Sequence, residues 1–155
     1  MSKNEITGWR DEKISRRHRD WENDLPAIDL DFILIEYDKG EPKALIEYKN
    51  ENAPSQNFNL HSYQALIKLG TRAELPVFFC RYYIPDVDLT QSPLSAADEE
   101  KIVKLSWYFL IPLNDLAKRF NFPERKVTER TYRNWLLHIR NRSSQSINQI
   151  PWCQS

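Results

Sequence analysis

Cysteine is scarce in this chain: two residues in 155, Cys80 inside an apolar run and Cys153 near the end. So few exclude a disulfide framework, and their spacing excludes a structural zinc site. Long apolar runs are also missing. No stretch approaches the roughly 20 residues of a membrane span, and the N-terminal stretch is charged, so an anchor and a secretory signal are not expected and a cytoplasmic protein is. Internal repeats, low-complexity blocks and linkers are absent too, which leaves one domain over residues 1–155, with a core at about 9–142 and a loose tail at 143–155. What remains, 41% hydrophobic and 12% aromatic residues, suffices to bury a core.

Net charge is zero, with 22 basic against 22 acidic residues, but the zero hides a division along the chain. Residues 1–19 carry +3, residues 20–117 carry −9 and residues 118–155 carry +6. Basic ends around an acidic middle suit a protein that holds a polyanion while gathering carboxylates at one point. Solvated charged helices give the same pattern.

Gly8 to Asn23 has helix formers and a Trp9, Ile14, Trp21 stripe, which predicts a first helix ending before Leu25-Pro26. Ala27 to Tyr37 and Pro42 to Asn50, separated by Asp38-Lys39-Gly40, predict a β-hairpin. A helix over Asn57 to Ala73, closed near Gly70, and a buried strand over Pro76 to Ile84 follow. Beyond the proline-rich loop at 85–93, the sequence predicts a short helix capped by Ser95, a strand within LSWYFLIPL, a brief helix at 114–120 and a longer one at 128–142. The expected class is therefore α/β (α+β), a small mixed sheet with a central hairpin flanked by helices.

The hairpin carries the chemistry. Strand side chains alternate, so Asp29 and Asp31 share one face of the first strand, and Glu47 and Lys49 share one face of the second. A three-residue turn with Gly40 in the left-handed conformation pairs Tyr37 with Glu41, sets Asp31 across from Glu47 and sets Asp29 across from Lys49. One face is then apolar, and the other gathers all four polar groups at one end. Pro42, which cannot donate a ladder hydrogen bond, must sit at an outward or bulged position. Directly opposed carboxylates, with side-chain origins about 5 Å apart, repel unless a cation lies between them. Oxygen ligands of this kind suit Mg²⁺ or Mn²⁺, with Lys49 placed to orient an attacking water. A cross-strand ion-pair cluster is the other explanation for the same residues.

In PAIDLDFILIEYDKGEPKALIEYK, Asp31 followed by Glu47-Tyr48-Lys49, then a helix and a further strand, resembles the PD-(D/E)XK nuclease superfamily. The resemblance spans about residues 9–84 and implies a restriction-endonuclease-like or Holliday-junction-resolvase-like fold that cuts DNA with Mg²⁺. By that resemblance Asp31, Glu47 and the Tyr48 carbonyl hold the metal, Asp29 is a second candidate ligand, and Lys49 serves the water. Glu22, with Asp20 behind it, is the acidic residue expected from the first helix, and Gln64 or His61 the polar residue from the helix after Lys49. Arg10, Lys13, Arg16, Arg17 and Arg19, together with Arg130, Arg133, Arg140 and Arg142, are candidate phosphate contacts. Trp9, Trp21 and His18 are candidates for stacking on a base. Too few residues separate the first helix from the Asp-bearing strand for the strand that the superfamily places between them, so either that strand is lost or the first helix ends early, near Arg16.

DNA is the expected partner, a homodimer is compatible, and phage replication, repair, recombination and host defence all fit. Two other classes stay open. One is a nucleic-acid-binding protein on a nuclease-like fold that does not cut; the other is a protein-interaction module with an ion-pair cluster.

Overall fold

The computed structural model describes residues 12–21 and 28–142. Its elements are α1 (Glu12–Asp20), β1 (Phe32–Glu36), β2 (Glu41–Asn50), α2 (His61–Arg72), β3 (Val77–Tyr83), α3 (Ala96–Leu105), β4 (Trp107–Pro112), α4 (Asp115–Lys118) and α5 (Glu129–Asn141). The strands form one sheet in the order β1-β2-β3-β4. β1 and β2 are the antiparallel hairpin, β2 and β3 run parallel with α2 in their connection, and β3 and β4 are antiparallel. This is the mixed sheet flanked by helices that the sequence predicts, although the hairpin lies at one edge of the sheet and not at its centre. Among the described residues no strand stands between α1 and β1, and no helix is long and apolar enough to cross a membrane.

Alternation along the strands sends two sets of side chains to opposite faces. Ala44, Ile46, Phe78, Cys80 and Leu110 pack under Phe120 and under Tyr132 and Ile139 of α5. Burial pushes the Cys80 thiol up to about 12, so it behaves as a small core residue. On the other face Leu45 and Val77 meet Leu66 of α2. Gly70 permits this approach, since a Cβ there would lie 2.1 Å from Val77 Cγ2. The glycine thus serves packing and does not close the helix. Closure comes at Glu74, which takes a left-handed φ of 58° while its amide and that of Leu75 bond Thr71 O and Gly70 O. The helix also begins later than predicted. The Asn57 side chain accepts from the Asn59 amide at 3.0 Å, a local turn that competes with helical bonding.

The predicted register holds where it matters and fails at the turn. Phe32 lies across from Ile46, Ile33 from Leu45 and Leu34 from Ala44, as expected. Glu36, however, faces Glu41, so the expected Tyr37 to Glu41 pairing is wrong. The turn takes four residues, Tyr37 to Gly40, with Gly40 left-handed at φ 61° and the Glu36 carboxylate accepting from the Asp38 and Lys39 amides. A bulge at Lys43, beside Pro42, absorbs the difference and restores the register. β1 is also shorter than predicted, and as an edge strand it leaves Phe32 59% and Ile33 48% exposed.

Asn114, which sequence reasoning treated only as a helix boundary, ties three elements together. Its carboxamide oxygen accepts from the amides of Val77 and Ala117, both at 3.0 Å, and its nitrogen donates to Leu75 O at 2.9 Å. Ser95 and Thr128 cap α3 and α5 through the amides of Asp98 and Thr131.

Candidate functional site

The β1 ladder stops at Phe32, one residue short of Asp31. Instead of continuing the backbone pairing, the chain turns the Asp31 carboxylate onto the Tyr48 amide, 3.0 Å away. In an antiparallel pair the N–H and C=O of one residue point to the same side, so the Tyr48 carbonyl also faces the side where Asp31 lies. Glu47 and Lys49 flank Tyr48 and point to the α2 face, where Lys49 Nζ lies 2.7 Å from Glu47 Oε1. Asp29, Asp31, Glu47 and Lys49 line one cleft of about 360 Å³, together with Ser62, Tyr63 and Leu66 of α2. The structure therefore gathers the four predicted hairpin residues on one side of the sheet.

Glu47 is the most enclosed carboxylate of the group, its side chain 13% exposed. Burial holds its pKa above the ordinary value, the Lys49 ammonium draws it back, and the Asp31 charge pushes it up again. Lys49 is raised, first by its hydrogen bond to Glu47 and further by the charges of Glu47 and Asp31, against an opposing effect of burial. Burial thus leads the Glu47 shift and the bond to Glu47 leads that of Lys49, while two carboxylates share a partly buried place with a single ammonium. A divalent cation placed here would meet oxygen atoms of Asp31 and Glu47 and would offset the excess negative charge. Among the described residues no group of three or more His, Cys, Asp or Glu side chains is gathered for a metal. The oxygens on this side of the hairpin are the Asp31, Glu47 and Asp29 carboxylates, which line the cleft, and the Tyr48 carbonyl.

The surroundings include residues that sequence reasoning missed. Tyr63, from α2, reaches the cleft and donates its hydroxyl to the Gln56 side chain. Burial raises the Tyr63 phenol, Lys49 lowers it and Glu47 raises it again, which places it in the field of the site. Arg81 lies beside Lys49 in the β2–β3 ladder and donates to the carbonyls of Glu51, Ala53 and Pro54 at 2.8 to 3.1 Å. It thereby fixes the loop that carries Gln56. On the opposite face the Tyr48 hydroxyl shares a 2.5 Å hydrogen bond with that of Tyr132, clamping β2 to α5 beneath the site. The Arg81 and Tyr48–Tyr132 contacts join residues far apart in the chain, and no local spacing signals them.

Other predicted residues fall elsewhere. Gln64 donates its amide to Phe58 O at 2.8 Å and is absent from the cleft, because it holds the loop before α2. His61 is exposed, and Ser62 takes the place expected of it at the rim. Lys13, Arg16 and Arg17 are exposed on α1, with Arg17 paired to Asp20 at 3.2 Å. Glu22, Arg10, Trp9 and Cys153 lie outside the described residues, as do the side chains of His18 and Arg19. α5, with Arg130, Arg133 and Arg140, packs on the face of the sheet opposite the cleft, so these cations do not flank it. The apolar stripe of Tyr132, Trp135, Leu136 and Ile139 dictates that placement. Set against family models, curated proteins and solved structures, the chain finds no match.

Proposed function

We propose that the chain is a metal-dependent nuclease of PD-(D/E)XK type, hydrolysing phosphodiester bonds in DNA. One observation carries this reading: Asp31, Glu47 and Lys49 line a single cleft on one face of the sheet, with more negative charge than the one ammonium offsets. Asp31, Glu47 and the Tyr48 carbonyl would hold Mg²⁺ or Mn²⁺, with Asp29 adjacent. Such an ion, when bound, supplies neutralisation of charge at the scissile phosphate and a more acidic water.

The chain's own residues do the rest. Asp31 is held by the Tyr48 amide, so its free lone pairs keep their aim without reorganisation. Lys49 neutralises Glu47 at 2.7 Å, and with a metal ion held by Glu47 its N–H groups would be placed to orient the attacking water or a phosphate oxygen. Tyr63, steadied by Gln56, offers a hydroxyl on the α2 side of the same cleft. Leu66 and Ile28 supply the apolar part of its wall. Lys13, Arg16 and Arg17 of α1, exposed to solvent, would contact the DNA backbone.

The second reading, a nucleic-acid-binding protein that does not cut, draws on the 2.7 Å Lys49 to Glu47 contact, which satisfies Glu47 without any ion. Incubation with plasmid, single-stranded and branched DNA, in Mn²⁺, Mg²⁺ or chelator, separates the two. Ion-dependent cleavage that disappears in Glu47→Gln and Lys49→Ala supports the nuclease. Cleavage at full rate by Lys49→Ala removes Lys49 from the mechanism, and retained DNA binding without cleavage under every condition selects the second reading.

A further inference from the structure

A larger cleft, about 630 Å³, lies at the other end of β2. Pro42 and Lys43 of the bulge, the Glu74-Leu75 turn after α2, and Arg119, Phe120 and Arg142 enclose it. Five residues separate Pro42 from Glu47, so the two clefts are about 16 Å apart along the strand.

Its cations are unequally matched. Lys43 is largely buried and already engaged, donating to Arg142 O at 3.1 Å and lying 3.5 Å from Glu41. The Arg142 guanidinium rests on the Phe120 ring, 4.5 Å from its centroid, and Arg119 faces the same space. Among the described residues neither Arg119 nor Arg142 forms an ion pair with a carboxylate. Burial lowers the Arg142 pKa, and the charge of Arg119 lowers it further. Burial and Arg142 likewise lower that of His138. Two guanidiniums that line one cleft, Arg142 partly buried and Arg119 at the exposed mouth, repel each other unless an anion joins them. The planar fork of arginine matches phosphate oxygens in pairs.

The remaining features narrow the ligand. Glu74 lines the same cleft from a left-handed backbone position, where glycine would cost less. A carboxylate kept there accepts hydrogen bonds from hydroxyl or amino groups. Leu75, Pro42 and Phe120 supply apolar walls, and the volume lies in the range of small-molecule sites. We propose that this cleft binds a nucleotide, its phosphate held between Arg119 and Arg142 and its sugar or base turned toward Glu74. This assignment does not depend on the nuclease reading.

Titration calorimetry on the full chain at 0.15 M salt, with deoxyadenosine monophosphate, inorganic phosphate and deoxyadenosine, tests it. The nucleotide is expected to bind, with inorganic phosphate about tenfold weaker and the nucleoside weaker still. Arg119→Ala, an exposed change that leaves packing intact, should weaken both phosphate ligands by about tenfold or more. Glu74→Gln should weaken the nucleotide and leave inorganic phosphate unchanged. No heat from any ligand up to about 10 mM, or undiminished affinity in Arg119→Ala, overturns the site. Equal affinity for nucleotide and inorganic phosphate overturns the nucleotide assignment.

Discussion

The two ends of β2 hold opposite problems. At its C-terminal end Glu47 faces Asp31, and the chain provides its own counter-charge in Lys49. At its N-terminal end Arg119 and Arg142 share a cleft, and among the described residues the ion pair there, Lys43 with Glu41, leaves them both uncompensated. Like charges gathered on a folded surface are costly at either end, so what differs is where compensation comes from. One end is balanced internally, and under the proposed function a stronger cation would displace the ammonium; the other end would be balanced by the anion of the proposed ligand.

The largest expected effect is at the carboxylate end. Glu47→Gln and Asp31→Asn should each reduce ion-dependent DNA cleavage by about a hundredfold or more, measured as initial rate at saturating Mn²⁺. Unchanged rates in either would leave the two ends alike in lacking chemistry.

Next in size is a change that damages the scaffold of the guanidinium end alone. Asn114→Ala removes the α4 cap and leaves the buried Val77 amide unsatisfied, so urea unfolding should show a loss of about 2–4 kcal/mol. The same denaturation with Lys49→Met sharpens the contrast. Without its internal ammonium the carboxylate end should depend on an added ion, so the variant gains more stability from Mn²⁺ than the parent does, although its cleavage is lost.

Glu74→Gly should raise stability by about 1 kcal/mol through relief of the left-handed position, read as a higher melting temperature. The smallest effect is pH dependence from His138. Its folded pKa lies below the usual 6.5, so the unfolded chain takes up the proton first. Stability is then complete above 6.5, falls as pH drops from there through the folded value, and levels off below it. A His138→Gln variant should flatten that slope.

Much of this was legible because strand alternation is a strict rule. The central hairpin register, the left-handed Gly40, the Ser95 cap and the convergence of Asp31, Glu47 and Lys49 all follow from residues a short distance apart. Where the sequence misled, a local signal met a long-range demand. Gly70 resembles a helix stop but answers to Val77, and the bulge at Lys43 is invisible to a pattern that assumes uniform pairing. The basic face of α5 suggested DNA contact, yet its apolar stripe determines which side of the sheet the helix covers. Tyr63, Gln56 and Arg81 escaped notice because their partners lie on other elements. The second cleft joins residues from β2 to the end of α5, and no motif spans that distance.

The bond from the Tyr48 amide to Asp31 has one last consequence. That proton is shielded only while the carboxylate is in place, since the ladder on that side has already ended at Phe32. Its exchange with deuterated solvent is thus a clock for assembly of the site: slow when Asp31 is docked, fast when the mouth of the hairpin opens.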